Sequence, residues 1–249
     1  TVRGATKDLR SNATTAEGTE VNGLQAFTSN GFTVGGDGLV GVNNGSYVAW
    51  TFKSTPKFFD VVTYTGNGSA SRQIAHNLGS VPGMIIVKIT SEFGSWAVYH
   101  RGNTANPETD YLQLNTTAAT VDAADYWADT APTSTHFTVG SDGDVNQNAA
   151  TYVAYLFAHD TSSGPIQCGS YTGNASTDGP TINLGWQPQW IMIKNTSTSP
   201  TDWLVFDDKR GISASGNDAL LNPNKNTAEN NLNDFLSVTS TGFKLGTIG

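Results

Sequence analysis

The chain has 249 residues, with 13 Lys and Arg against 21 Asp and Glu, and the net charge of −8 disfavours nonspecific binding to nucleic-acid phosphates. Gly is 27 of 249 and charged residues are only 14%, with Thr, Ser and Asn at most polar positions, which is the composition of strands and turns rather than of helical surfaces. The single cysteine, Cys168, excludes an intrachain disulfide; with four scattered histidines it excludes a Cys/His zinc site, and no run approaches the ~18 apolar residues that cross a bilayer.

Taken in chain order, the predicted elements are short strands, and they recur. Arg3-Gly4 returns as Arg101-Gly102 and Arg210-Gly211. Phe32-Thr33-Val34-Gly35 returns 105 residues on as Phe137-Thr138-Val139-Gly140, and a further 106 on as Phe243-Lys244-Leu245-Gly246. Tyr47-Val48-Ala49-Trp50-Thr51-Phe52 matches Tyr152-Val153-Ala154-Tyr155-Leu156-Phe157, and Tyr64-Thr65-Gly66-Asn67 matches Tyr171-Thr172-Gly173-Asn174. Asn77-Leu78-Gly79, Pro82 and Met84–Lys88 match Asn183-Leu184-Gly185, Pro188 and Trp190–Lys194, and Trp96 matches Trp203. No stretch of ten residues has a convincing helical period, and helices have no obvious place beyond a local coil near 227–233.

The pattern predicts an all-β chain of tandem antiparallel β-sandwich modules of about 105 residues, jelly-roll-like, one complete and two partial. Residues 1–57 read as the C-terminal half of a first module, 58–163 as a complete one, and 164–249 as a third lacking its last strand. The chain is then either cut from a longer array, which is the expected case, or its partial ends complement each other. Met84–Val87 and Trp190–Ile193 are apolar without alternation and read as central strands covered on both faces. Phe32, Trp50, Trp96, Phe137, Phe157, Trp190, Trp203 and Phe243 are the predicted core of the repeat, and each buried aromatic contributes about 1.5–3 kcal/mol.

Residue sets with chemical potential are few, and residues duplicated at one structural position read as structural. Asp8, Asp110 and Asp218 are followed by Asn12, Asn115 and Asn222, a pattern read as turns bonding their own backbone rather than as metal or sugar ligands. Gly140-Ser141-Asp142-Gly143-Asp144 resembles the start of a calcium loop but lacks a closing Glu, so an Asp-Gly hairpin turn is expected there. Glu108 and Asp110 read as solvated loop carboxylates, not a glycosidase pair. His76, His100, His136 and His159 have no Ser or Cys nucleophile in a recognisable turn, and the Asn-x-Ser/Thr triplets follow from composition. No catalytic residue, metal site or cofactor is expected. The loop aromatics Trp127 and Trp186 are the candidates for stacking on a sugar.

The series from Leu184-Gly185 through Pro188 and Ile191–Lys194, then Trp203-Leu204-Val205-Phe206-Asp207-Asp208-Lys209-Arg210-Gly211, then Gly242-Phe243-Lys244-Leu245-Gly246 resembles the repeated β-module of unknown function found in tail-fibre and other virion proteins of tailed phages, marine ones especially. The middle stretch departs from that pattern at His100-Arg101-Gly102, where the acidic residue and the lysine are absent. The resemblance implies a non-enzymatic virion protein, a tail-fibre or appendage module serving host attachment. It would be a homo-oligomer, a trimer by analogy, in contact with other virion proteins and with a host surface glycan. The alternatives are a capsid decoration or head-fibre protein, a carbohydrate-binding module and, from another class, a polysaccharide depolymerase.

Overall fold

The computed structural model describes residues 2–160, 164–212 and 215–246. The chain is all-β and sandwich-like, and every strand pair is antiparallel. In the first stretch, β1 (Lys7–Asp8) pairs with β2 (Gly18–Thr19) and β3 (Leu24–Phe27) with β4 (Phe32–Val34). The middle stretch contains β5 (Phe59–Thr65), β6 (Arg72–Ala75), β7 (Pro82–Ile89), β8 (Trp96–His100), β9 (Asp110–Gln113), β10 (Val121–Asp122), β11 (His136–Val139) and β12 (Thr151–Ala158). Six of these form one sheet in the order β10-β9-β8-β7-β12-β5, and β11 pairs with β6 in a ribbon packed on it. The last stretch has β13 (Thr181–Asn183), β14 (Trp190–Lys194), β15 (Trp203–Asp207), β16 (Asn217–Leu220), β17 (Asn230–Asn233), β18 (Leu236–Thr239) and β19 (Gly242–Leu245), arranged as β14-β15, β16-β17 and β13-β19-β18.

Alternation along β7 explains the central sheet. Ile85, Val87 and Ile89 face one core with Tyr152, Ala154 and Leu156 of β12 and with Phe137 and Val139 of β11. Met84 and Ile86 face a second core with Trp96, Val98, Leu112 and Phe157. A free-standing antiparallel sandwich leaves one face of its sheet to water. Here that second face is closed by residues from outside the middle stretch: Leu9 on one side, Trp203 and Met192 on the other. The absence of alternation in the sequence of β7 is therefore a signature of contact between stretches. A third core lies within the last stretch, around Phe206, Leu236 and Phe243.

The three-fold Phe-x-x-Gly motif has one geometry throughout. Gly35, Gly140 and Gly246 donate their backbone N–H to Gly23, Tyr126 and Phe235 at 2.8, 2.8 and 2.7 Å. A Cβ on any of them would lie 2.5, 2.2 or 2.0 Å from the carbonyl oxygen of Asn22, Asp125 or Asp234, closer than a real Cβ tolerates. Only glycine lets the two backbones approach this far. Gly79 and Gly185, the repeated Leu-Gly, both take positive φ, +70° and +82°.

Several expectations are corrected. Ala124–Trp127 and Gly143–Asn146 each form a single helical turn, α1 and α2. In α2, Asp142 accepts the N–H of Asp144 at 2.7 Å as a helix cap, so Asp142-Gly143 begins a helical turn and not a hairpin. Asn230–Asn233 is a strand rather than a coil. Phe32 and Trp50 are each 41% exposed and not core, because among the described residues no counterpart of the β7–β12 ladder stands behind them. β14 is only half-buried apart from Ile191, since its one strand partner among the described residues is β15. Residues 46–54 and 169–175, predicted to contribute strands, lie outside any strand.

Candidate functional site

The residues that recur in the sequence meet at two seams between stretches, and the two seams are built alike. At the first, Trp96 donates its indole Nε1–H to the carbonyls of Arg10 and Ala13 at 3.0 and 3.2 Å, and Lys88 Nζ reaches Thr14 O at 3.4 Å. At the second, Trp203 Nε1 donates to Gln113 O at 3.0 Å and Lys194 Nζ reaches Thr117 O at 3.5 Å. Two backbone bonds repeat as well. Gly94 N donates to Thr14 O and Glu17 N to Thr90 O, both at 2.9 Å, while Thr201 N donates to Thr117 O at 3.0 Å and Thr120 N to Thr196 O at 2.9 Å.

Strand register produces this arrangement. Lys88 pairs with Trp96 across β7–β8 and Lys194 with Trp203 across β14–β15, so each hairpin puts its lysine and tryptophan side by side. A side-chain latch fixes the tryptophan strand in each case: Asn115 Oδ1 accepts the N–H of Trp96 at 2.8 Å, and Asn224 Oδ1 that of Trp203 at 3.0 Å. Lys88 is fully buried, its ammonium donating to Ile89 O at 2.7 Å, and burial pulls its pKa down to about 8. Burial lowers the Lys194 pKa too; that ammonium is also held by Thr201 O and Oγ1 at 2.8 Å each. At each seam the tryptophan and lysine side chains of one stretch donate to carbonyls of the stretch before it, and one backbone bond runs the other way.

A second constellation stands where β15 ends. Asp207 Oδ1 accepts the backbone N–H of Lys209 and Arg210 at 3.0 and 3.1 Å, and Oδ2 accepts Arg210 Nε at 2.7 Å and the Trp50 indole at 3.0 Å. Arg210 also donates to Val205 O at 3.0 Å and to Glu229 at 3.3 Å, with its guanidinium 5.5 Å from the centre of the Trp50 ring. The middle stretch makes the same turn differently: His100 Nδ1 accepts the N–H of Gly102 at 3.1 Å in place of the carboxylate. The acidic-basic cluster is thus a turn lock, and an imidazole substitutes for it.

The sequence-derived candidates do not converge on a reaction centre. Trp127 is 2% exposed, packed edge-on against Tyr99 at 6.0 Å. It belongs to the core and offers no face to a sugar, because α1 turns Tyr126 and Trp127 inward. Trp186 is half-buried. Asp110 is buried and bonded by Thr104 Oγ1, whereas Glu108 lines a 350 Å³ cleft with Tyr99, Arg101 and Pro132. Asp144 is engaged by Ser95 N at 2.6 Å and Tyr126 Oη at 3.0 Å. The last Asp–Asn pair is not a turn on its own backbone. Asp218 accepts the N–H of Leu236 at 2.9 Å and Asn222 donates to Trp203 O at 2.8 Å, so they tie separate strands. Cys168 N donates to His159 Nδ1 at 3.1 Å, but burial pushes the thiol up to about 12, far from a thiolate nucleophile. Among the described residues no group of three or more His, Cys, Asp or Glu is placed to hold a metal ion.

The model of the DUF7483 family, a domain of unknown function, matches residues 1–249. The chain belongs to this family. No curated protein and no solved structure matches it. For this DUF7483 chain the best-built polar geometry is therefore the pair of seams. Sequence reasoning missed the seams because their acceptors, the carbonyls of Arg10, Gln113, Thr14 and Thr117, are common to every residue type. The signal that could have found them was the lysine and tryptophan recurring together at neighbouring offsets.

Proposed function

We propose that the chain is a structural, non-catalytic virion protein, a tail-fibre or appendage module serving host attachment. In this reading it is three copies of one unit joined head to tail, with 58–163 the complete copy. The observation that carries the reading is the duplication of the seam. A set of side-chain and backbone hydrogen bonds joins one stretch to the next, and it does so twice with the same lysine–tryptophan pair. The middle stretch donates through Trp96 and Lys88 at one seam and accepts through Gln113 and Thr117 at the other, two different surfaces in a heterologous arrangement. The virion setting rests on the likeness of Leu184–Gly246 to the phage module.

The partners in this reading are other virion proteins and further copies of the chain, as a trimer. A host-glycan contact falls to Trp186, since Trp127 is enclosed. Immunogold labelling of virus particles with antibodies against the chain tests the proposal. Gold on tail appendages is the expected result; gold on the capsid shell transfers the chain to a decoration role, and particles that carry no label overturn the virion reading.

A further inference from the structure

The arginines of the repeated Arg-Gly are engaged differently. Arg3 is ion-paired with Glu17, and Arg210 with Asp207 and Glu229. The Arg101 guanidinium has no hydrogen-bond or ion-pair partner among the described residues, because His100 stands where Asp207 stands in the last stretch. It lines the 350 Å³ cleft of the middle stretch together with Glu108 and Tyr99. The Glu108 carboxylate and the Tyr99 hydroxyl have no such partner among the described residues either, although Tyr99 is only 5% exposed. Glu108 stands two residues before Asp110, where Thr6 and Gly216 stand before Asp8 and Asp218. An unlocked arginine and an added glutamate are thus peculiar to the middle stretch. Local structure holds both at the cleft. Tyr99 and Arg101 are two residues apart on β8 and its continuation, where Arg101 N donates to Gly83 O at 2.9 Å, so their side chains leave the same face. Glu108 is carried by the 3-10 turn Pro107–Thr109 between β8 and β9, and Pro82, Pro107 and Pro132 give the cleft rigid apolar walls.

We infer that this cleft binds a small zwitterion, an α-amino acid with an apolar side chain, its carboxylate on Arg101 and Tyr99, its ammonium on Glu108 and its side chain against the prolines. The volume lies near the lower end of the range of roughly 300–1,000 Å³ for ligand pockets, which suits one small molecule rather than a polymer. The charges select the class. An anion is drawn by Arg101 and repelled by Glu108, a cation the reverse, and a ligand carrying both signs satisfies both. A guanidinium holds a carboxylate through paired N–H donors. Tyr99 adds a further donor: burial first, and then Glu108, push its phenol up to about 12, so it keeps its proton at neutral pH. A sugar fits less well, because sugar rings stack on open aromatic faces and the Tyr99 ring is enclosed, edge-on to Trp127. The inference does not depend on the virion setting.

The test titrates the full chain by calorimetry with free L-valine, L-leucine, L-methionine and L-proline, with the N-acetyl and amide derivatives of each, and with glucose. At least one of the free amino acids is expected to saturate the chain at millimolar concentration. Its N-acetyl and amide derivatives, each lacking one charge, are expected to bind at least about ten-fold more weakly. Arg101→Gln and Glu108→Gln are each expected to weaken binding by the same factor with circular dichroism unchanged, because neither side chain has a partner in the fold among the described residues. Tyr99→Phe, which keeps the ring packed on Trp127, is expected to weaken it several-fold. A chain that none of the free amino acids saturates overturns the inference. So does equal binding of free and blocked forms, or binding that survives either charge variant. Saturation by glucose alone overturns it too and gives the cleft to a sugar.

Discussion

At the scale of single residues, the repeat is enforced by positions where almost nothing else fits. Gly140 sits where a Cβ would come 2.2 Å from Asp125 O and 2.5 Å from Asp125 C, backbone atoms that cannot swing aside as a side chain would. Gly140→Ala is expected to destabilise the fold by about 1–3 kcal/mol, the usual cost of forcing extra volume into a closed contact. Gly36→Ala, next to the equivalent glycine but with nothing within 4 Å, is expected to change stability by less than about 0.5 kcal/mol. Urea unfolding of the two variants separates a packing requirement from mere glycine preference. The three-fold motif was legible in the sequence as a strand followed by glycine. Its cause was not, because the atom that excludes a side chain is a backbone carbonyl, of Asn22, Asp125 or Asp234, and a carbonyl is common to every residue type.

At the scale of elements, the unit that repeats best is the Lys–Trp hairpin, with the loop of the preceding stretch as its receptor. Replacing Trp96 by Phe keeps most of the ring volume but removes the indole N–H and leaves the Arg10 and Ala13 carbonyls without that donor. A loss of about 0.5–1.5 kcal/mol is expected, the net worth of a hydrogen bond, since the Arg10 carbonyl still accepts the N–H of Ala13 at 3.1 Å. Trp186→Phe, whose indole nitrogen has no hydrogen-bond partner, is the contrasting case and is expected to cost less than about 0.5 kcal/mol. Thermal unfolding of both variants provides the comparison. The hairpins themselves could be read from the sequence, since Met84–Lys88 and Trp190–Lys194 are apolar runs entered through a proline. What could not be read was whether each run is enclosed. β7 is buried throughout because Leu9, Met192 and Trp203 close its second face, whereas β14 has the same pattern and remains half-exposed for want of a neighbour. Likewise Phe32 and Phe137 occupy the same place in the motif, yet only Phe137 has a sheet to pack on.

For the whole molecule, burial of histidines sets a sensitivity to acid that composition alone does not reveal. His100 has its pKa lowered to about 4, first by desolvation and then by the positive charge of Arg101 and the neighbouring His159; His76 and His159 are lowered as well, mainly by burial. An unfolded chain protonates histidine near 6.5. Above that pH both states hold the imidazoles neutral and the folded state loses nothing. As the pH falls from about 6.5 toward 4, the unfolded chain takes up protons that the folded one refuses, so stability is lost across that interval, and the loss from His100 is complete below about 4. Asp142 and Asp218 act in the opposite sense, because burial raises their pKa values and the folded state takes their protons first. The histidine effect is isolated by His100→Asn, in which a side-chain oxygen can still accept the N–H of Gly102. Unfolding free energies measured from pH 7 to pH 4 are expected to fall less steeply for His100→Asn than for the unsubstituted chain; parallel curves would mean that His100 takes up its proton in the folded protein as readily as in the unfolded one.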